Sequence, residues 1–225
     1  MITLIFGATG ALGEAIALRE EELGNRVIRL TRKRGVPGTQ FIGEVESWDS
    51  LLPKNFGPLS VVFAQGANVN DDIFGDNSIE SIFDANVLYI TKNITSLLKD
   101  KLLSPNSSIV ILSSIWQNFS RPKKLSYSIS KAAINGLVNS LVADLSPTGV
   151  RVNAVLPGVV DTPMTRQMLS QELMERVINE TPIKQLVTDR NVASVVSWLL
   201  SPNSIGVNGQ FVTVDNGWSN VRFIS

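Results

Sequence analysis

The chain has no cysteine and no histidine among its 225 residues. The first absence removes disulfides, thiol nucleophiles and thiolate metal sites, and it fits a reducing cytoplasm, the compartment expected. The second removes the usual zinc ligand, the Ser-His-Asp triad and the commonest general base, so no metal centre is expected. Acid/base chemistry must therefore come from carboxylates, tyrosine, lysine or water. A charge excess is missing too. Twenty basic residues face 20 acidic ones, which argues against a broad nucleic-acid footprint. No apolar run approaches the ~18 residues of a membrane span. The opening stretch, Met1 to Phe6, lacks a basic leader, so neither a signal peptide nor a membrane anchor is expected.

What is present suits one globular domain. Hydrophobic residues make up 44% and charged residues 18%, enough to bury a sizeable core. Short apolar runs read as strands at Ile2 to Phe6, Arg26 to Leu30, Gln40 to Ile42, Ser60 to Ala64, Ser108 to Leu112, Val150 to Leu156 and Gln210 to Val214. Helical patterns lie between them: Gly7 to Leu23, one long helix from Ile79 to Leu103, Tyr127 to Leu145, Met164 to Asn179 and Arg190 to Leu200. Alternation of this kind predicts a single α/β domain over residues 1–225, with a mainly parallel sheet of about seven strands and helices on both faces.

Gly7, Gly10 and Gly13 stand three residues apart between the first strand and first helix. Glycines there permit a tight turn and close backbone approach, and the helix N-terminus offers N–H groups to a pyrophosphate. A dinucleotide is the ligand such a turn suggests. If the ligand were NAD(H), an acidic residue would be expected about 20 residues on. The second strand instead ends Leu30-Thr31-Arg32-Lys33-Arg34. Cations suit a 2′-phosphate, so NADP(H) is favoured over NAD(H), with Thr31, Arg32 and Lys33 at the adenosine ribose. A solvated basic loop is the competing reading.

The chain has two tyrosines, and Tyr127 is followed four residues later by Lys131. On a helix the pair shares one face, and an ammonium there should lower the phenol pKa and make it an acid/base group. Thirteen residues earlier lies Ser114, just past an apolar strand, where parallel sheets hold ligands. Ser113 competes with it, and alternation lets one of the two face a site.

Together these residues resemble the short-chain dehydrogenase/reductase superfamily, most closely its bacterial 3-oxoacyl-carrier-protein-reductase-like branch. The resemblance spans essentially the whole chain. It implies a Rossmann-like doubly wound fold and hydride transfer between nicotinamide and a carbonyl or alcohol carbon. Ser114, Tyr127 and Lys131 match the family's catalytic Ser, Tyr and Lys. Asn86, in Asp84-Ala-Asn-Val87, matches the Asn thought to hold a relay water. Arg151-Val-Asn-Ala-Val-Leu-Pro-Gly158 and Asp161-Thr-Pro-Met164 match the segment that grips the nicotinamide carboxamide, with Pro157, Gly158, Val160 and Thr162 at contact positions. Thr9 and Leu12 lie within the glycine turn.

Gly206-Val-Asn-Gly-Gln210 and Val214-Asp-Asn-Gly-Trp218 resemble the closing signature. Three departures stand out. The middle glycine is Gly10, where longer-chain relatives place it, and the turn carries no cation. Ala64-Gln65-Gly66 replaces the end of the usual Asn-Asn-Ala-Gly. Glu44, followed by Val45, stands for the Asp expected after the third strand.

For a small carbonyl or alcohol substrate, Asn68, Trp116, Gln117 and Asn118 are candidate pocket residues, with the 164–179 segment as a lid. The basic stretch Ser120 to Lys124 reads as a solvated loop, with a carrier protein or phosphorylated substrate as the sharper alternative. A nucleotide-sugar epimerase or dehydratase shares the glycine spacing and the Tyr-Lys pair, but such enzymes carry a carboxyl-terminal lobe for which little chain remains after Gly217. A non-catalytic dinucleotide sensor is the other alternative. The resemblance implies a homodimer or homotetramer through the helices Ile79 to Leu103 and Tyr127 to Leu145, and the apolar Ile90, Ile94, Leu97 and Leu98, and Ile134, Leu137, Val138 and Leu141, on them add support.

Overall fold

The computed structural model describes residues 1–45 and 48–221, without the side chains of residues 44, 49 and 164. Seven parallel strands form one sheet: β1 (Ile2–Phe6), β2 (Arg26–Thr31), β3 (Gln40–Phe41), β4 (Leu59–Phe63), β5 (Ser108–Leu112), β6 (Arg151–Pro157) and β7 (Phe211–Val214). Their order is β3-β2-β1-β4-β5-β6-β7. The chain winds outward from β1 in one direction, then returns to β4 on its other side. That reversal opens a crevice at the carboxyl ends of β1 and β4, where open α/β sheets bind ligands.

Side chains alternate across the sheet because the strand period is two. Leu4, Phe6, Val61, Phe63, Ile109 and Ile111 fill one core. Their neighbours Ile5, Val62 and Val110 fill the other. The first core is covered by α3 (Tyr89–Lys99) and α4 (Leu125–Leu145). The second is covered by α1 (Ala11–Glu22) and α7 (Asp189–Leu200). Burial on both faces explains why the central strands read as continuous apolar runs.

Two helices differ from expectation. The helix expected over Ile79 to Leu103 is α2 (Ile79–Phe83), a π-helical turn (Asp84–Leu88) and α3, ending at Lys99. Its stop is a Schellman-type close. Leu102 N–H bonds the Leu97 carbonyl and Lys101 N–H bonds that of Leu98, with Lys101 left-handed at φ 56°. Helix α4 starts at Leu125, two residues early, because Asp71 accepts the Ser126 N–H at 3.0 Å and also binds its hydroxyl. The 164–179 segment forms two helices, α5 (Pro163–Met168) and α6 (Gln171–Glu180).

The apolar residues expected to meet a symmetry mate mostly face inward. Ile90, Ile94, Leu97, Ile134 and Val138 are buried against the sheet. Leu88, Leu98 and Ile129 are the exposed apolar side chains on those helices.

Candidate active site

A cleft of about 1110 Å³ runs from the glycine turn, along the carboxyl ends of β1, β4, β5 and β6, to α5 and α6. Gly7 is left-handed, and a Cβ there would lie 2.5 Å from the Gln65 nitrogen. A Cβ on Gly13 would lie 2.3 Å from the Gly7 carbonyl oxygen. These two glycines let the turn fold onto α1 and against the end of β4. The first turn of α1 has no side-chain cap, which leaves its positive dipole end for a ligand.

The amide of Gln65 points the same way. The residue is 8% exposed and lines the cleft, yet neither polar atom of its side chain has a partner. A buried orphan amide costs stability unless something binds it. The cradle and the orphan amide fit a dinucleotide lying across this edge of the sheet.

Thr31 is buried, and its Oγ1 accepts the Lys33 N–H at 3.1 Å and lies 3.4 Å from Thr9 Oγ1. The tight turn leaves Arg32 exposed at the cleft, its guanidinium 5.2 Å from the centre of the Tyr89 ring. Tyr89 also lines the cleft and was not singled out by the sequence. Glu44's side chain lies outside the described residues. Val45 packs against the hydrophobic core rather than lining the cleft. The third strand is too short to carry that position to the ligand edge.

Beyond β5, alternation separates the two serines. Ser113 donates to Gln117 Oε1 at 2.8 Å, while Ser114 lines the cleft with Tyr127 and accepts the Trp116 N–H at 3.3 Å. Lys131 is 3% exposed and donates to the Leu112 carbonyl at 2.9 Å, with Nζ 5.7 Å from the Tyr127 ring centre. Ser114, Tyr127 and Lys131 thus meet in one wall of the cleft. If Ser114 has the role that the resemblance implies, replacing it by Ala is expected to lower kcat on the order of tenfold with little change in cofactor affinity, since one hydrogen bond to the reacting oxygen would be lost. A crippled Ser113→Ala enzyme beside an active Ser114→Ala enzyme would overturn this.

The expected lowering of the phenol pKa by Lys131 is not what the environment produces. Burial pushes Tyr127 up, and the nearby Ser114 hydroxyl only partly offsets it. Burial also pulls Lys131 down to about 8. Tyr127 is therefore held as the protonated phenol, the form a proton donor needs.

Asn86 sits in the π-helical turn, behind the cleft. Its Nδ2 donates to the Ala67 carbonyl and to Ser130 Oγ, both at 2.9 Å. Its Oδ1 accepts the Ala67 N–H at 2.7 Å. One amide hydrogen and Oδ1 hold Ala67 in the loop after β4, and the other amide hydrogen is spent on Ser130 of α4, so this side chain fastens that loop to the helix. A Cβ built on Gly66 would lie 3.8 Å from Asn86 Oδ1 and from Lys131 Nζ, so the clamp adjoins the lysine.

Val160, buried, pairs with Val187 in a single parallel bridge. Thr162 caps α5 by accepting the Thr165 N–H at 3.2 Å. Pro157, Gly158, Val160 and Thr162 all line the cleft. On the substrate side, Asn68 and Trp116 line it as well, but Gln117 is turned to Ser113 and Asn118 is exposed outside it. Phe119, Arg121, Lys124 and Trp218 take their place. Trp116, Phe119 and Trp218 contact one another with ring centres 5.4–6.2 Å apart. Lys124, expected in a solvated loop, is 3% exposed.

Comparison with known proteins decides the family. A family model described as enoyl-(acyl carrier protein) reductase matches residues 46–219. The chain belongs to the short-chain dehydrogenase/reductase superfamily. It is similar to the 3-oxoacyl-[acyl-carrier-protein] reductase FabG of Staphylococcus aureus, 25% identical over 237 aligned positions, covering 95% of this chain and 96% of that one. It is 26% identical to the reductase MabA of Mycobacterium tuberculosis, covering 95% and 91%.

An uncharacterized oxidoreductase of Bacillus subtilis, YmfI, is 36% identical over 129 residues, which are 57% of this chain and 52% of its own length. Among solved structures, the aldohexose dehydrogenase of Thermoplasma acidophilum superposes with a TM-score of 0.86 at 25% identity, covering 100% and 96%. The superfamily's FabG-like branch is the one supported, and the protein is an oxidoreductase of a family that binds nicotinamide cofactors. Among the described residues no helix is long and apolar enough to cross a membrane, and no cluster of His, Cys, Asp or Glu could hold a metal ion.

Proposed function

We propose that the protein is an NADP(H)-preferring reductase or dehydrogenase of small carbonyl or alcohol compounds, acting through Ser114, Tyr127 and Lys131. The observation that carries this reading is the convergence of Ser114, Tyr127 and Lys131 on one wall of a cleft continuous with the glycine turn. Gly7, Gly10, Leu12 and Gln65 would hold the pyrophosphate and ribose side, and Pro157, Gly158, Val160 and Thr162 the carboxamide. Nicotinamide bound there supplies or accepts the hydride.

In reduction, Ser114 donates a hydrogen bond to the substrate oxygen and Tyr127 gives up its phenolic proton to that oxygen. In oxidation, the phenol oxygen takes the proton back. Lys131 binds the nicotinamide ribose. Asn86 positions the Ala67 backbone beside it. Leu88, exposed in the π-helical turn, Leu98 on α3 and Ile129 on α4 support a homodimer or homotetramer.

The test is consumption of NADPH and NADH against a broad panel of carbonyls. Stoichiometric NADPH binding with no turnover across the panel would instead favour a sensor. The pH profile is a second expected outcome. With Tyr127 held up and Lys131 at about 8, kcat/KM for reduction should stay level from about pH 6 to 7.5 and fall above about 8. The sign follows from both groups working in their protonated forms. A reduction rate that climbs with pH through this range would contradict the roles assigned.

A further inference from the structure

Lys124 is a buried cation in the cleft wall that the hydride-transfer machinery leaves unused. It lies three residues before Tyr127, lines the same cleft, and has Nζ 5.6 Å from the Tyr127 ring centre. Its ammonium donates to Asn68 Oδ1 at 2.6 Å and to the Val69 carbonyl at 3.2 Å. Both are neutral acceptors, and an ammonium has a third hydrogen. The facing carboxylate is Asp71, whose oxygens already accept from Ser78 N–H, Ser126 N–H and the Ser126 hydroxyl. Arg121, on the same wall, adds positive charge and sits 6.0 Å from the Trp116 ring centre.

A buried cation with neutral partners is costly to keep, and a neutral donor would tie Asn68 to Val69 as well. Burial first, then Arg121, pulls Lys124 down to about 8, against the opposing pull of Asp71. The site is thus short of negative charge beside the proton donor. Trp116, Phe119 and Trp218 supply an apolar wall next to it.

We propose that Lys124 is a specificity-determining residue that binds a substrate carboxylate within a few bonds of the reacting carbonyl. The substrates are then oxo acids with an apolar or aromatic body, or the matching hydroxy acids. This rests on the reductase reading above. Two electrons and a proton arrive as hydride from the reduced nicotinamide, and a second proton from Tyr127 completes the hydroxy acid; the carboxylate is unchanged.

Benzoylformate and its methyl ester test the idea, because both present the same aryl ketone and only the acid carries charge. The ester is intrinsically the more electrophilic ketone, so the informative quantity is the acid-to-ester ratio of kcat/KM in wild type against Lys124→Met. That ratio is expected to fall at least tenfold in the variant, carried by a higher KM for the acid. Equal losses for both compounds would mean that Lys124 is only a structural tie, and would overturn the proposal.

Wild-type protein gives a reading independent of any folding defect. With cofactor bound, the acid should quench indole fluorescence at least tenfold more tightly than the ester, and the advantage should shrink with added salt. Equal or weaker binding of the acid would also overturn the proposal. Reduction of neutral ketones without that preference would sink this inference alone. Failure of every carbonyl to consume NADPH would sink the reductase reading, while the binding comparison still decides whether Lys124 reads charge.

Discussion

Tyr127→Phe is expected to lower turnover by about 10²- to 10⁴-fold while leaving cofactor affinity within about threefold, the range over which a positioned acid/base group acts. The change removes one hydroxyl. The ring remains beside Lys124 and Lys131, whose ammonium groups lie 5.6 and 5.7 Å from its centre. What is lost is the phenolic hydroxyl that faces the cleft beside Ser114, and with it the proton itself. No histidine stands by to replace it, because the chain has none. Lys131 is a poor substitute, since it is held on the Leu112 carbonyl and pulled down by burial. The measurement is single-turnover reduction with saturating NADPH, alongside NADPH titration of the same variant. A variant keeping more than half of the wild-type rate would remove Tyr127 from the chemistry.

The sheet was legible because its signals are local. Apolar runs bounded by glycine, proline and polar turns place all seven strands within one residue of their bounds, even β3, which is two residues long. The helix boundaries that went unseen depend on distant or unusual partners. Asp71 starts α4 from 54 residues upstream of Leu125, which no periodicity around Tyr127 reveals. Lys101 closes α3 in a left-handed conformation that usually signals itself by glycine. The π-helical turn around Asn86 carries no sequence mark at all.

The site divides in the same way. Spacing read together with the family resemblance singles out Gly7, Ser114, Tyr127 and Lys131, because each is tied to the end of a strand or a turn of a helix. The substrate wall depends on how the loop after β5 folds back. Ser113 captures Gln117 and turns it from the cleft, so that Phe119 and Lys124 face the cavity instead. Trp218 reaches the same wall from the far end of the chain. A basic stretch such as Ser120 to Lys124 averages two fates. Lys123 is exposed, and Lys124 is buried against Asn68. Charge counted along a sequence does not distinguish them.

Arg32→Asp is expected to invert the cofactor preference, weakening NADPH by roughly 10- to 150-fold, the equivalent of the ~1.5 to 3 kcal/mol carried by one charge-assisted contact. NADH should tighten at the same time, because the new carboxylate can accept from the ribose hydroxyls. The geometry concentrates the effect on this residue. The glycine turn contributes no cation, so recognition of a 2′-phosphate falls on the Thr31–Lys33 segment at the end of β2. Thr31 is buried under Thr9 and fixes the turn through the Lys33 N–H. Arg32 lies over Tyr89, so its guanidinium is oriented rather than free, and a planar fork held in place suits bidentate pairing with phosphate. Among the described residues, no ion pair with a carboxylate competes for it. Because the contact is at the exposed mouth of the cleft, salt should weaken NADPH binding in the wild type more than in the variant. Dissociation constants measured for both cofactors at two ionic strengths decide the matter. Equal values for NADH and NADPH in the wild type would reduce the Arg32-Lys33-Arg34 run to a solvated loop.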